Sequence, residues 1–176
     1  MALIAPKDLG GRIRDIPDFP KPGILFKDIT TMLKDGDSFK SAIDGLLAKI
    51  GRKPIDVVVG MESRGFIFGA PIAYALGVGF VPVRKLGKLP ADVVSVEYDL
   101  EYGSATLEMH KDAFAPGAKV LIVDDLLATG GTVAGTIELV KQLKGEIVAC
   151  AFLIELTPLH GRDKLGGYDV VTLISY

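Results

Sequence analysis

The stretch "VLIVDDLLATGGT" (residues 120–132) joins an apolar run to two adjacent aspartates and then to a turn of small residues. The apolar run predicts a buried strand over 119–125. The spacing of apolar residues that follows predicts a helix over 132–145, with Gly145 as its end. A strand, a short turn and a helix in this order are typical of an α/β fold.

The rest of the chain extends this pattern. Proline-rich residues 17–22 exclude a regular helix there, and residues 24–30 are expected to be a strand or extended loop. Further strands are predicted at 55–60, 78–85, 146–156 and 169–176, with two extended arms over 93–110. Helices are predicted at 8–16, from a Ser38 cap to about Ile50, and within 61–77. We therefore expect a central, mainly parallel sheet flanked by helices, with ligands beyond the carboxyl ends of its strands.

Composition narrows the class of protein. A chain of 176 residues with 49% hydrophobic residues suits one globular domain over 1–176. The net charge of −2 gives no overall basic field for nucleic acid. The single cysteine, Cys150, lies in an apolar run and is expected to be a buried hydrophobic residue in a reducing compartment. No signal peptide or membrane span is apparent, so we expect a cytoplasmic protein.

The turn of residues 128–132, here called the glycine turn, predicts a phosphate site. Its glycines allow close backbone approach, and its N–H groups lie at the start of a helix, where anions bind. Asp124 and Asp125, here called the acid pair, would repel a bare phosphate. Carboxylates accept hydrogen bonds from sugar hydroxyls and bind Mg²⁺, so the combination predicts a sugar phosphate as ligand.

Two common nucleotide motifs are absent from the sequence. It contains neither GxxxxGK[ST] nor a GxGxxG that follows a strand. Instead, "VLIVDDLLATGGT" resembles the phosphoribosyl-pyrophosphate (PRPP) motif of the type I phosphoribosyltransferases. The segments "DFPKPGILFKDIT", "GMESRGFIFGAPIAYALG", "RKLGKLP", "EYDLEYGSATLEMHKDA" and "ELTPLHGRDKL" are similar, in the same order, to the adenine phosphoribosyltransferases.

This resemblance implies the type I phosphoribosyltransferase fold, an α/β fold with a small hood (about 1–35 and 155–167) and a flexible catalytic loop (about 94–106). It implies transfer of 5-phosphoribose from PRPP to adenine with Mg²⁺ as cofactor, in a cytoplasmic homodimer that binds neither nucleic acid nor a membrane. The glycine turn would hold the 5-phosphate through Ala128, Thr129, Gly130, Gly131 and Thr132. The acid pair would bind the ribose hydroxyls, directly or through Mg²⁺.

The remaining roles implied by the resemblance concern the leaving group, the base and the loop. Arg64 would bind pyrophosphate. So would Arg84, Lys85 and Lys88, which are here called the cation cluster. Adenine would contact Leu25, Phe26, Lys27 and Leu156, with Lys27 standing where some relatives have Arg and with recognition through the main chain. Glu101 would be the acid or base, and Tyr98 and Tyr102 would shield the ligand.

Three other functions compete with this interpretation. Guanine and hypoxanthine transferases carry a different base-binding segment from "ELTPLHGRDKL". A PRPP-sensing transcription regulator would need a DNA-binding region, which the early start of the sheet domain and the acidic balance disfavour. A receiver-like signalling domain would explain the acid pair but not the glycine turn.

Overall fold

The computed structural model describes residues 4–99 and 104–176. Its main sheet has seven strands in the order β5-β6-β4-β3-β7-β8-β9, and β1 and β2 form a separate antiparallel pair. The bounds are β1 Arg14–Pro17, β2 Leu25–Asp28, β3 Val57–Met61, β4 Gly79–Lys85, β5 Val93–Asp99, β6 Ser104–His110, β7 Lys119–Leu127, β8 Glu146–Glu155 and β9 Val170–Ser175. Strands β4, β3, β7, β8 and β9 pair in parallel, which confirms the mainly parallel sheet.

Helices cover both faces of this sheet. They are α1 Pro6–Gly10, α2 Thr30–Leu33, α3 Gly36–Ile50, α4 Gly65–Leu76 and α5 Gly131–Gln142, and two 3-10 turns follow β8 at Thr157–Leu159 and Gly161–Leu165. None of the helices in the described ranges is both long and apolar enough to cross a bilayer.

Alternate residues of the central strands supply the two cores. Val58 of β3 packs in a cluster that includes α3 and α4, whereas its neighbours Val57 and Val59 pack in a cluster that includes α5. Every residue of β3 is buried, as expected for a parallel strand covered on both sides. Burial in β8 raises the pKa of the Cys150 thiol to about 12, so this side chain stays a protonated hydrophobic residue.

The sheet reverses its winding beside β3. The chain passes from β3 to β4 on one side, and β7 later pairs with the other side of β3. The carboxyl ends of β3 and β7 therefore lie at a topological switch point, where open α/β sheets form their ligand crevice.

Two predicted elements differ from the structure. The predicted helix 8–16 is wrong in its second half, because Arg14–Pro17 pairs with β2 as a strand. Helix α3 begins at Gly36, before Ser38, because the side chain of Asp35 accepts a hydrogen bond from the Ser38 N–H and is the N-cap. Asp35 and Ser38 are both residue types that cap helices, and the sequence alone did not distinguish them.

Candidate active site

The loops after β3 and β7, together with the end of β4, form one cleft. Its volume is about 430 Å³, and it is lined by Glu62, Ser63, Arg64, Lys85, Tyr98, Leu107, Asp124, Asp125, Leu126, Ala128 and Thr132. The structure thus places side chains from four predicted segments around one space.

The glycine turn forms a smaller concavity of about 70 Å³ beside this cleft. Gly130 has a left-handed backbone, with φ of +80°, and α5 begins at the next residue. Residues with side chains adopt this conformation only at a cost, so the turn requires glycine here. The N–H groups of the first turn of α5 have no partner within the helix and form the positive end of its dipole. The geometry suits an anion held by the main chain.

The acid pair stands between this concavity and Arg64. Asp124 Oδ1 accepts a hydrogen bond of 2.8 Å from the Asp125 N–H. Arg64 Nε lies 2.7 Å from Asp125 Oδ2, but its N–H does not point at that oxygen, which accepts no hydrogen bond from the residues described. The contact is therefore an ion pair that leaves an acceptor lone pair buried and unused.

Burial raises the pKa of both aspartates. For Asp124, the neighbouring charge of Asp125 raises the pKa further, whereas Arg64 opposes the rise in both. Burial disfavours the ionised forms of this pair, so hydroxyl donors or a cation that approach it stabilise those ionised forms. Gly65 permits this arrangement, because a Cβ there would lie 2.9 Å from Asp124 Oδ1.

Glu62 organises the cation cluster, and sequence analysis missed it. Its carboxylate accepts hydrogen bonds from Lys88 Nζ at 2.6 Å and from the Lys85 N–H at 3.1 Å, and it lies 3.4 Å from Arg84 Nε. The hydrogen bond from Lys88, with those from Lys85 and Arg84, lowers the pKa of Glu62 to about 2. The sequence did contain a signal for this role, because Glu62 directly follows a buried strand and three cations are clustered at residues 84–88. Only the tertiary structure shows that they meet.

The candidate base-binding residues lie next to the cleft. The Phe26 ring centroid is 5.3 Å from Arg64 Cζ, and Phe19 packs edge-on against the same ring at 5.1 Å. The Leu156 N–H donates to Leu127 O at 2.9 Å, which ties residue 156 to the end of β7.

The Lys27 side chain is engaged by other residues and is not free to contact a base. Its Nζ is 2.7 Å from Asp15 Oδ1 and 3.8 Å from the centroid of the Tyr176 ring. Leu25 is half exposed. Strand β2 has one neighbour in its two-stranded sheet, so its other edge can offer main-chain groups.

Tyr98 lines the cleft and packs against Gly135 of α5, 3.6 Å from the position of a Cβ there. The predicted acid or base Glu101 and the predicted shield Tyr102 lie outside the described residues.

The fold and the cleft together define a class of protein, and comparison with known proteins identifies that class. The sequence profile of the phosphoribosyl transferase domain matches residues 30–174. The chain belongs to the phosphoribosyltransferase family and is a pentosyltransferase enzyme.

Its similar relatives are adenine phosphoribosyltransferases. The Clostridium perfringens protein of that name is 61% identical over 168 residues, which cover 96% of this chain and 98% of that protein. The structure of the Thermoanaerobacter pseudethanolicus adenine phosphoribosyltransferase has a TM-score of 0.96 at 53% identity, covering 98% and 100% of the two chains. The Saccharomyces cerevisiae enzyme, solved with adenine and an imino-altritol bisphosphate, has a TM-score of 0.90 at 44% identity, covering 96% and 97%. The chain is thus a member of the adenine phosphoribosyltransferase group.

Proposed function

We propose that this enzyme converts adenine and PRPP to AMP and pyrophosphate as a step of purine salvage. The observation that carries the proposal is a cleft lined by a buried acid pair, Arg64 and Lys85, with a main-chain anion site directly beside it. These three parts match the 5-phosphate, the ribose hydroxyls and the pyrophosphate of PRPP. The adenine-bound structure of the yeast relative supports adenine as the base.

The glycine turn holds the 5-phosphate, and the acid pair holds the ribose. The N–H groups at the start of α5 donate to phosphate oxygens. The unused Oδ2 of Asp125 accepts from a ribose hydroxyl, which supplies the hydrogen bond that this buried oxygen lacks.

The acid pair also suits Mg²⁺, which prefers carboxylate oxygens together with phosphate oxygens and water. The described residues contain no group of three or more His, Cys, Asp or Glu that could hold a metal. Asp124 and Asp125 would therefore contact the cation together with the substrate's own oxygens. When bound, Mg²⁺ would neutralise charge on the pyrophosphate.

The cations at the other end of the cleft stabilise the leaving group. In the reaction the C1–O bond breaks, pyrophosphate departs with the electron pair, and a bond forms between C1 and adenine N9, which loses a proton. The ribose carries oxocarbenium-like charge in the transition state, as in other glycosyl transfers. Arg64 and Lys85 line the cleft and offset the negative charge that develops on pyrophosphate.

Adenine lies under the hood, which the N-terminal segment and residues 155–167 form. Its ring stacks on Phe26, Leu156 covers the opposite face, and the main chain of Leu25 and Lys27 reads the base edge. The ion pair of Lys27 with Asp15 supports main-chain reading, because the lysine side chain is already engaged.

Glu101 acts as the general acid or base for the proton on adenine. Residues 94–106, with Tyr98 and Tyr102, close over the cleft. A well-placed general acid or base contributes about 10²–10⁴-fold. We expect Glu101→Gln to lower kcat at least ~100-fold with little change in the Kd of either substrate. Wild-type turnover in that variant would remove Glu101 from this role.

We also propose a cytoplasmic homodimer. Helix α4 is apolar on nearly all sides, yet its Tyr74 is 89% exposed. Leu86, just after β4, is 65% exposed. A helix of this composition is normally covered, and a second copy of the chain is the occupant we propose. Sedimentation equilibrium should give a dimer that Tyr74→Glu dissociates, and a wild-type monomer would contradict the assignment.

A spectrophotometric assay tests the proposed function. The enzyme is mixed with PRPP and Mg²⁺ and offered adenine, guanine, hypoxanthine, xanthine or orotate in turn. We expect nucleotide formation from adenine alone. Omission of Mg²⁺ should abolish it, and absence of AMP from adenine would overturn the proposal.

A further inference from the structure

A second turn backs the glycine turn through a contact between two glycines. This second turn comprises residues 157–165, the two 3-10 turns that follow β8. A Cβ on Gly161 would lie 2.1 Å from Ala128 O and 3.0 Å from Gly130 N, and a Cβ on Gly130 would lie 2.5 Å from Gly161 O. Each turn thus occupies the space that a side chain on the other would need.

Contact rather than backbone conformation requires glycine at position 161. Gly161 is not one of the glycines with a positive φ, so alanine could adopt its backbone angles. The atoms that exclude a methyl group are main-chain atoms of the glycine turn, which cannot rotate away as a side chain could.

The second turn is fixed to strands β8 and β9 by the side chain of Arg162. Arg162 donates to both carboxylate oxygens of Glu155, at 2.9 and 2.6 Å, and to Val170 O at 3.0 Å. Leu165 is buried in the core at the other end of the turn. A paired arginine fork of this kind is among the stronger ion pairs, so the second turn resists displacement.

We propose that Gly161 is a positioning residue for the 5-phosphate of the substrate. Its backbone holds residues 128–130 in the conformation that directs their N–H groups at the phosphate, while Gly161 itself touches no reacting atom. The inference rests on the proposed function, in which the glycine turn binds that phosphate. A methyl group at 161 would have to push Ala128 O away by roughly 1 Å, a misplacement that can cost on the order of 10²-fold in rate.

Gly161→Ala and the control Gly166→Ala test this role. Gly166 lies just beyond the same turn, and a Cβ there would meet only Asp163 O at 3.9 Å. Calorimetry with ribose 5-phosphate and, separately, with pyrophosphate measures the two ends of the cleft. For Gly161→Ala we expect ribose 5-phosphate affinity to fall at least ~10-fold and kcat/KM for PRPP to fall about 100-fold. Pyrophosphate affinity should stay within about twofold of wild type, and Gly166→Ala should match wild type throughout.

A second variant covers the case in which Gly161→Ala does not fold. Arg162→Gln loosens the second turn without a clash, and we expect a smaller loss of ribose 5-phosphate affinity, about threefold, at unchanged pyrophosphate affinity. Equal losses for both ligands, or wild-type ribose 5-phosphate affinity in either folded variant, would overturn the inference alone. Failure of the wild-type enzyme to bind ribose 5-phosphate would overturn the proposed function as well.

Discussion

The two ends of the cleft offer different groups to an anion: main-chain N–H groups at one end and charged side chains at the other. At the end of β7 the glycine turn offers main-chain N–H groups and almost no side chain, and its shape depends on Gly130. At the ends of β3 and β4 the cleft is lined by Arg64 and Lys85. Arg64 pairs with Asp125, and the other two members of the cation cluster, Arg84 and Lys88, pair with Glu62. One end recognises an anion by fixed shape, and the other recognises it by side-chain charge.

The difference predicts different sensitivities. A main-chain site fails when the backbone moves, whatever the charge of the new side chain. A side-chain site fails when a charge or its partner is removed, and it tolerates small changes in shape. The following variants test this contrast, from the largest expected effect to the smallest.

Gly130→Ala should damage the main-chain end most. The substitution adds left-handed strain and places a Cβ 2.5 Å from Gly161 O, so we expect kcat/KM for PRPP to fall by more than ~100-fold. Gly117→Ala is the matched control, because Gly117 has φ of +83° with no atom within 4 Å of the Cβ position. Steady-state kinetics should show a loss in the first variant only. A comparable loss in both would mean that strain, and not the contact, is responsible.

Arg64→Gln should damage the side-chain end. It removes a cation from the cleft and leaves Asp125, only 6% exposed, without its charge partner. We expect pyrophosphate affinity to fall about 10–100-fold, the value of one charge-assisted interaction, while ribose 5-phosphate affinity falls less, only through the loss of the partner of Asp125. Arg52→Gln, on an exposed residue, controls for net charge. Calorimetry would contradict the division of the cleft if both ligands lost affinity equally.

Asp124→Asn tests the acid pair between the two ends. Because burial raises the pKa of Asp124 above its ordinary 3.8, its ionised form destabilises the folded state at neutral pH. We expect the variant to melt at a higher temperature than wild type and to bind PRPP about 10-fold more weakly.

The gain in stability should disappear as the pH falls below 3.8, where the aspartate is protonated in both states. Asp92→Asn, on a side chain that is 90% exposed, should melt like wild type. A lower melting temperature for Asp124→Asn would mean that the carboxylate stabilises the fold, which is the opposite of what its raised pKa predicts.

Glu62→Gln should have the smallest effect of the four. The pKa of Glu62 is lowered to about 2 from 4.5, so its ion pairs stabilise the fold above pH 4.5. That stability is lost as the pH falls from 4.5 to about 2. Because Arg84 and Lys88 are 34% and 46% exposed, we expect a loss of about 1 kcal/mol at neutral pH.

Urea unfolding at a series of pH values measures this contribution. The difference in unfolding free energy between wild type and Glu62→Gln should shrink toward pH 2. Glu138→Gln, in a surface pair with Lys141, should have the same unfolding free energy as wild type at every pH. A difference that is constant with pH would contradict an ionised Glu62 as its cause.

The sequence predicted the main-chain end better than the side-chain end for a physical reason. Strand β7, the glycine turn and α5 are contiguous, so local pattern reveals them together. The buried runs of β3 and β8 were also predictable, because strands covered on both faces are continuously apolar. In contrast, the pairing of Glu62 with Lys88 joins residues 26 positions apart, and the contact of Gly161 with Ala128 requires the folded chain.

The N-terminal segment was misjudged for the same reason. Leu9, Ile13 and Ile16 have a spacing compatible with a helix, and nothing local indicates that Ile16 pairs with Phe26. Tertiary pairing overrides local propensity in such short elements.

A crystal structure of the enzyme with AMP tests the division of the cleft most directly. We expect the 5-phosphate oxygens within about 2.7–3.2 Å of N–H groups of the glycine turn, the ribose hydroxyls on Asp124 and Asp125, and the base against Phe26. A phosphate bound by Arg64 and the cation cluster, with the glycine turn free of ligand, would contradict the account.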